Sequence, residues 1–165
     1  MERIHYIIGI IIFIMFASAA TGQTKRLSDE DRIVACTILA EARGEGRGGM
    51  YAVAVVIAQR ALNRKLTPDK VCLEDDQFEC WTNPTVDSYR HLLDDSSQAT
   101  YARGLASAVN LGYKQKRNYI DRAKYKYVDH FFNPRHASPS WEKKAIIKYR
   151  IGNHTFLRLK EKPAK

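Results

Sequence analysis

The sequence predicts an α+β fold, a helical half joined to a small antiparallel β-sheet, on three observations. Apolar residues recur at spacings of three and four over residues 29–43, 49–62 and 98–111, the period of helices that bury one face. Two aromatic and β-branched runs, Tyr127–Phe132 and Asn153–Leu159, follow near the C-terminus and read as strands. Ile151-Gly152-Asn153 marks a turn ahead of the second run, and no repeat or low-complexity segment appears.

The first residues predict an exported protein. Arg3 precedes an apolar stretch, Ile7–Ala17, that ends in the small residues Ala17-Ser18-Ala19-Ala20, the pattern of a secretory signal peptide over residues 1–20. The apolar stretch is about 11 residues, against roughly 20 for a membrane-spanning helix. Cleavage near Ala19 or Ala20 is therefore expected, with no stable membrane insertion afterwards; an uncleaved anchor is the alternative. Roughly 145 residues remain, enough for one domain, placed at residues 28–160, and expected to be a monomer.

Export sets the redox context. Cys72 and Cys80 would lie where a disulfide can persist, and their close spacing suits a small stapled loop. Cys36, inside the apolar run Ile33–Ala40, reads as a buried free thiol. The formal charge is +9, and losing Glu2 and Arg3 with the leader leaves it unchanged. An anionic partner is expected, the cell wall being nearest, although DNA or lipid attracts the same charge and lysines also serve solubility.

In chain order, Ser28 with Asp31 three residues on gives a variant capping box for a helix from about Asp29 to Arg43. The glycine-rich Gly44–Gly49 segment should interrupt it, leaving Glu41 in the last turn. A second helix spans about Gly49–Leu62, with Met50, Val53, Ile57 and Ala61 on one face. Thr67-Pro68-Asp69-Lys70 starts a short third helix. Gln77–Trp81 alternates like a strand, and Asn83-Pro84 breaks the pattern. Gln98–Leu111 is a further helix that Gly112 should terminate. Tyr113–Lys126 is basic and tyrosine-rich without a clear period, and Lys160–Lys165 should fray.

Glu41 stands out among residues that could carry chemistry. Ile38 and Val34, three and seven residues before it, place its carboxyl on an apolar face that looks toward the glycine corner. Burial and the negative end of the helix dipole both disfavour the charged form, so a proton is retained toward neutral pH, as a general acid at a glycosidic oxygen requires. The alternative is that Glu41 pairs with Arg43, Arg47 or Arg60 and only stabilises the corner. His91, His130, His136 and His154 fit no His-x-x-x-His metal helix, and neither metal nor cofactor is expected.

The run Ala40-Glu41-Ala42-Arg43-Gly44-Glu45-Gly46, followed by Gly49-Met50 and Ala52–Arg60, resembles the opening of the SleB/CwlJ family of cell-wall hydrolases. Gln77-Phe78-Glu79-Cys80-Trp81, His130-Phe131-Phe132-Asn133-Pro134, Ser138-Pro139-x-Trp141 and Ile151-Gly152-Asn153-His154-x-Phe156 are similar to later segments of that family, in the same order. The resemblance spans about 125 residues, from Ile33 to Arg158. Three departures stand out: Ala40 replaces a usual glycine, Tyr125–Asp129 replaces a polar, glycine-containing segment, and Thr82–Ser97 is longer than expected.

The resemblance implies a lysozyme-like domain acting on peptidoglycan glycan strands, with Glu41 as catalytic acid. Better-known members are lytic transglycosylases, which leave a 1,6-anhydro-muramic end; a lone acid suits that chemistry because the sugar's own 6-hydroxyl closes the ring. Glu45 is the obvious second carboxylate. Gln77, Phe78 and Trp81 are candidates to line a sugar groove, although Trp81 reads equally as core and Phe78 reads as core ahead of groove. His130, Trp141, Asn153 and His154 complete the expected substrate contacts together with Asn133, although an asparagine in a turn is commonly structural. Two other classes stay open. A catalytically silent peptidoglycan-binding module would keep the groove without turnover. A nucleic-acid binder would use Tyr113, Tyr119, Tyr125 and Tyr127 among lysines, and the leader argues against it.

Overall fold

The computed structural model describes residues 27–82, 91–94, 96–117 and 127–160. The expected leader, the Asn83-Pro84 break, most of the tyrosine-rich segment and the end of the C-terminal tail lie outside the described residues. The architecture is the expected α+β, a helical half with a three-stranded antiparallel sheet.

Helix α1 runs over Asp29–Ala42. Ser28 caps it, its Oγ accepting from Asp31 N at 3.1 Å, while Asp29, Glu30 and Asp31 oppose the dipole in the first turn. One 3-10 turn over Arg43–Glu45 and a left-handed Gly46, φ +66°, reverse the chain into α2, Gly46–Arg64. The glycine corner is thus shorter than the sequence suggested, because the helix resumes at Gly46 and not at Gly49. Met50, Val53, Val55, Val56, Ile57 and Ala61 of α2 are fully buried, each large side chain contributing about 1.5–3 kcal/mol.

The short α3, Pro68–Leu73, starts on proline as expected, and α4 spans Ser97–Lys114 behind the cap Ser96. Gly112 does not end α4. It is buried within the helix, which closes beyond it through Gln115 N donating to Leu111 O at 3.1 Å and Arg117 N donating to Gly112 O at 2.8 Å. Helices α1, α2 and α4 pack against one another. Asp31 fastens the start of α1 to α4, accepting from Asn110 Nδ2 at 2.7 Å and Ser107 Oγ at 3.1 Å.

The sheet comprises β1, His130–Phe132, β2, Ala145–Ile151, and β3, His154–Leu159, in the order β1-β3-β2. Phe131 pairs with Phe156 on one side of β3 and Tyr149 with Phe156 on the other. Strand β2 is an addition to the expected pair. Its Ile147, Tyr149 and Ile151 are half-buried while Ile146, Lys148 and Arg150 are exposed, the alternation of a strand with one covered face. Residues 77–81 do not form the expected strand, because Cys80 N and the Trp81 indole bond to side chains of α1 and not to a strand. They make a turn ending in a 3-10 segment, Glu79–Trp81, closed by Trp81 N donating to Phe78 O at 3.0 Å. Among the described residues no helix is long and apolar enough to cross a membrane.

Candidate active site

Glu41 occupies the last turn of α1 and is half-buried. The Phe78–Trp81 turn docks beside it: Cys80 N donates to Glu41 Oε1 at 3.4 Å, and Trp81 Nε1 donates to Thr37 Oγ1 at 2.8 Å. Thr37 lies four residues before Glu41, hence on the same helix face, and its hydroxyl is satisfied in turn by Ile33 O at 2.8 Å. Among the described residues Glu41 forms no ion pair with Arg43, Arg47 or Arg60. Burial pushes its pKa above the usual carboxylate range; the N–H and thiol of Cys80 pull it down, the charge of Glu79 pushes it up, and Arg60 pulls it down.

Cys72 and Cys80 do not form the expected disulfide. Both thiols are free and buried, and Cys36 is buried too. The Cys72 thiol lies beside the Thr37 hydroxyl, and the Cys80 thiol beside the Glu41 carboxyl. Burial pushes Cys72 up to about 12, and burial with the neighbouring Glu41 charge also drives Cys80 upward, so both are held as thiols and not as the thiolates that oxidation requires.

Glu45 turns away to a second task. Its Oε2 accepts from Asn153 N at 2.8 Å, and its Oε1 lies 3.4 Å from His154 Nδ1. The carboxylate thereby ties the corner between α1 and α2 to the β2–β3 hairpin. Gly152, φ +54°, makes room for it, since a Cβ there would sit 1.4 Å from Glu45 Oε2. The His154 ring meets Phe131 edge-on, centroids 5.6 Å apart, and Phe131 lies 6.1 Å from Phe78, so an aromatic row connects the hairpin to the Glu41 turn. Asn153 contributes its backbone to this tether while its side chain is exposed.

The other expected contacts divide. Phe78 is 3% exposed and belongs to the core. Trp81 is half-buried, pinned at Nε1, and borders a cavity of about 320 Å³ together with Asp75 and Asp76. Gln77 accepts from Arg64 Nη2 at 2.9 Å. His130 and Phe132 alternate to the face of β1 opposite Phe131, where Trp141 packs on both, centroids 5.2 and 5.6 Å away. Asn133 builds a turn, its Oδ1 accepting from Arg135 N at 3.0 Å. The structure thus brings Glu41, Cys80 and Trp81 together, joins Glu45 to Asn153 and His154, and sets His130 and Trp141 apart on the far face of the sheet.

Two residues near the acid escaped the sequence reading in these roles. Thr37 could have been found from its four-residue spacing to Glu41. Arg60, on α2, is 7% exposed; its Nε donates to Asp129 O at 2.7 Å, its guanidinium carbon lies 5.3 Å from the Phe78 ring centroid, and its Nη1 is buried without a partner. Burial lowers its pKa to about 10, still well above neutrality. Among the described residues no group of three or more His, Cys, Asp or Glu side chains is arranged to hold a metal ion.

In comparison with known families, residues 44–157 match the model described as Cell Wall Hydrolase. The matched span covers more than half of the chain and contains the Phe78–Trp81 turn, α4 and the sheet up to Leu157; Glu41 lies just before it. No curated protein and no solved structure matches.

Proposed function

This chain belongs to the cell wall hydrolase family, and from that premise we propose that it cleaves the glycan strand of peptidoglycan with Glu41 as the general acid. The observation that carries this reading is the Glu41 carboxyl itself: half-buried at a helix end, kept protonated toward higher pH by burial, and approached by a main-chain N–H. A carboxyl in that setting is matched to protonating a leaving oxygen.

We take the reaction to be that of a lytic transglycosylase. Glu41 gives its proton to the glycosidic oxygen as the C1–O bond breaks. The muramyl 6-hydroxyl then bonds to C1, closing the 1,6-anhydro ring, and its proton returns to the Glu41 carboxylate. No water is consumed and the acid is restored. Glu45 supports this assignment, since its carboxylate is committed to Asn153 N and His154 and not to a water opposite Glu41. Trp81 offers an aromatic wall beside the acid, and Gln77 an amide at the edge of the same turn. We further propose export by the leader at residues 1–20, a domain at residues 28–160 with a lysozyme-like arrangement, and a basic surface, +9 overall, that favours the anionic wall.

The test is mass spectrometry of fragments released from purified peptidoglycan by residues 20–165, beside Glu41→Gln. Anhydro-muramic ends from the native chain and none from the variant are expected. Reducing ends keep the acid but make the enzyme a hydrolytic muramidase. Co-sedimentation with the wall without release by either protein overturns the enzyme reading in favour of a binding module.

A further inference from the structure

We propose that Arg60 is a positioning residue for the acid: from within the core it fixes the turn whose main chain reaches Glu41, and it supplies a permanent positive charge to that carboxyl's surroundings. The inference rests on Glu41 being the general acid.

The argument begins with a side chain that stability alone does not explain. Arg60 is 7% exposed, yet its Nη1 has no hydrogen-bond partner. A buried guanidinium with an unmet N–H is costly, and an apolar side chain of similar length would pack as well or better. What Arg60 touches gives it a purpose. Its guanidinium lies over Phe78, the residue that opens the turn bearing Cys80 N, the donor to Glu41 Oε1. Its Nε holds Asp129 O at 2.7 Å, immediately before β1, and β1 sends Phe131 back onto Phe78. One side chain on α2 thereby fixes two segments that converge on the acid, while making no hydrogen bond to Glu41 itself.

Its charge acts in the same place. The charged and titratable groups around Glu41 are Arg60 from α2, Glu79 and Cys80 from the turn, and Cys72 from α3. Arg60 is the cation of that set. Around Arg60 stand Arg64, Asp129, Cys72 and Glu74. Burial and Glu79 drive the Glu41 proton to stay; the N–H and thiol of Cys80 oppose them, and Arg60 adds the smallest share of that opposition. A general acid must release its proton in the first step and recover it in the second, so a counterweight to burial serves turnover.

The test uses the full chain with Arg60→Met and Arg60→Lys, measuring kcat, KM and melting temperature against pH on soluble glycan strands. Arg60→Met should melt at or above the native temperature, lose about 10- to 100-fold in kcat with KM little changed, and shift the basic limb of kcat to higher pH. Arg60→Lys should lose kcat while its basic limb stays in place. Arg60→Gln carries the neutral arm should Arg60→Met not fold. Native kcat in the neutral variant, or an unmoved basic limb in it, overturns the proposal and leaves Arg60 a packing residue. If the native chain releases nothing, or Glu41→Gln is fully active, the general-acid reading itself has failed and the role of Arg60 falls with it.

Discussion

The indole of Trp81 and the hydroxyl of Thr37 share a 2.8 Å hydrogen bond one helical turn before Glu41. The bond fixes where the Phe78–Trp81 turn lands on α1, and so where Cys80 N meets the acid. Trp81→Phe should keep an aromatic ring but lose part of the indole's bulk and leave Thr37 without its donor, destabilising the fold by about 1 kcal/mol or more. A double-mutant cycle with Thr37→Val in urea unfolding should return a coupling energy of the same sign. Complete additivity would show that the two residues do not act as a unit.

Glu41→Gln should lower the rate of glycan cleavage at least about 100-fold. The same change should stabilise the protein at neutral pH. Burial raises the folded-state pKa of Glu41 above its unfolded value, so the native chain holds an extra proton between the two. Stability therefore falls as pH rises from the ordinary carboxylate range through the raised value, and the loss is complete above it. Melting curves from pH 4 to pH 8 should show this decline in the native chain and a flatter profile in Glu41→Gln.

The Glu45 tether predicts an ordered series. Glu45→Gln retains an acceptor for Asn153 N and should cost little, whereas Glu45→Ala hands that exposed N–H to water and should cost about 0.5–1.5 kcal/mol. Gly152→Ala should match or exceed the alanine loss, because its Cβ would occupy the carboxylate's place and its φ is +54°. Denaturant midpoints of the three variants check the order, and a tolerated Gly152→Ala would contradict the close approach.

The three buried thiols should resist alkylation under native conditions and react fully in denaturant. Intact mass after iodoacetamide reads this directly. Dithiothreitol should leave the melting temperature unchanged; a drop on reduction would reveal a disulfide between Cys72 and Cys80 after all.

Much of the fold was legible because helical periodicity is a local signal. The Ser28 cap, the end of α1 near Glu41, the proline start of α3 and the last strand fall within a few residues of expectation. Strand β2 went unread, although Ile147, Tyr149 and Ile151 alternate with Lys148 and Arg150 and the turn at Gly152 calls for a strand before it as well as after. Residues 77–81 misled because alternation over so short a run does not reveal whether a ladder partner exists. Gly112 misled because a glycine on the buried side of a helix can serve packing as well as termination. At the site, the burial of Glu41 followed from Val34 and Ile38, but the links of Glu45 to Asn153 and of Trp81 to Thr37 join residues far apart in the chain. No spacing encodes them.

The N–H that reaches Glu41 belongs to the main chain of Cys80, and the thiol of the same residue lies beside it. Substitution at position 80 can therefore trade thiol for hydroxyl or methyl and leave that N–H in place; proline alone among the standard residues deletes it. Position 80 can thus drift in sequence while the main-chain part of its contribution persists and only the part of the thiol is lost. Comparisons that track side-chain identity at this position would overlook a contact that every residue but one can make.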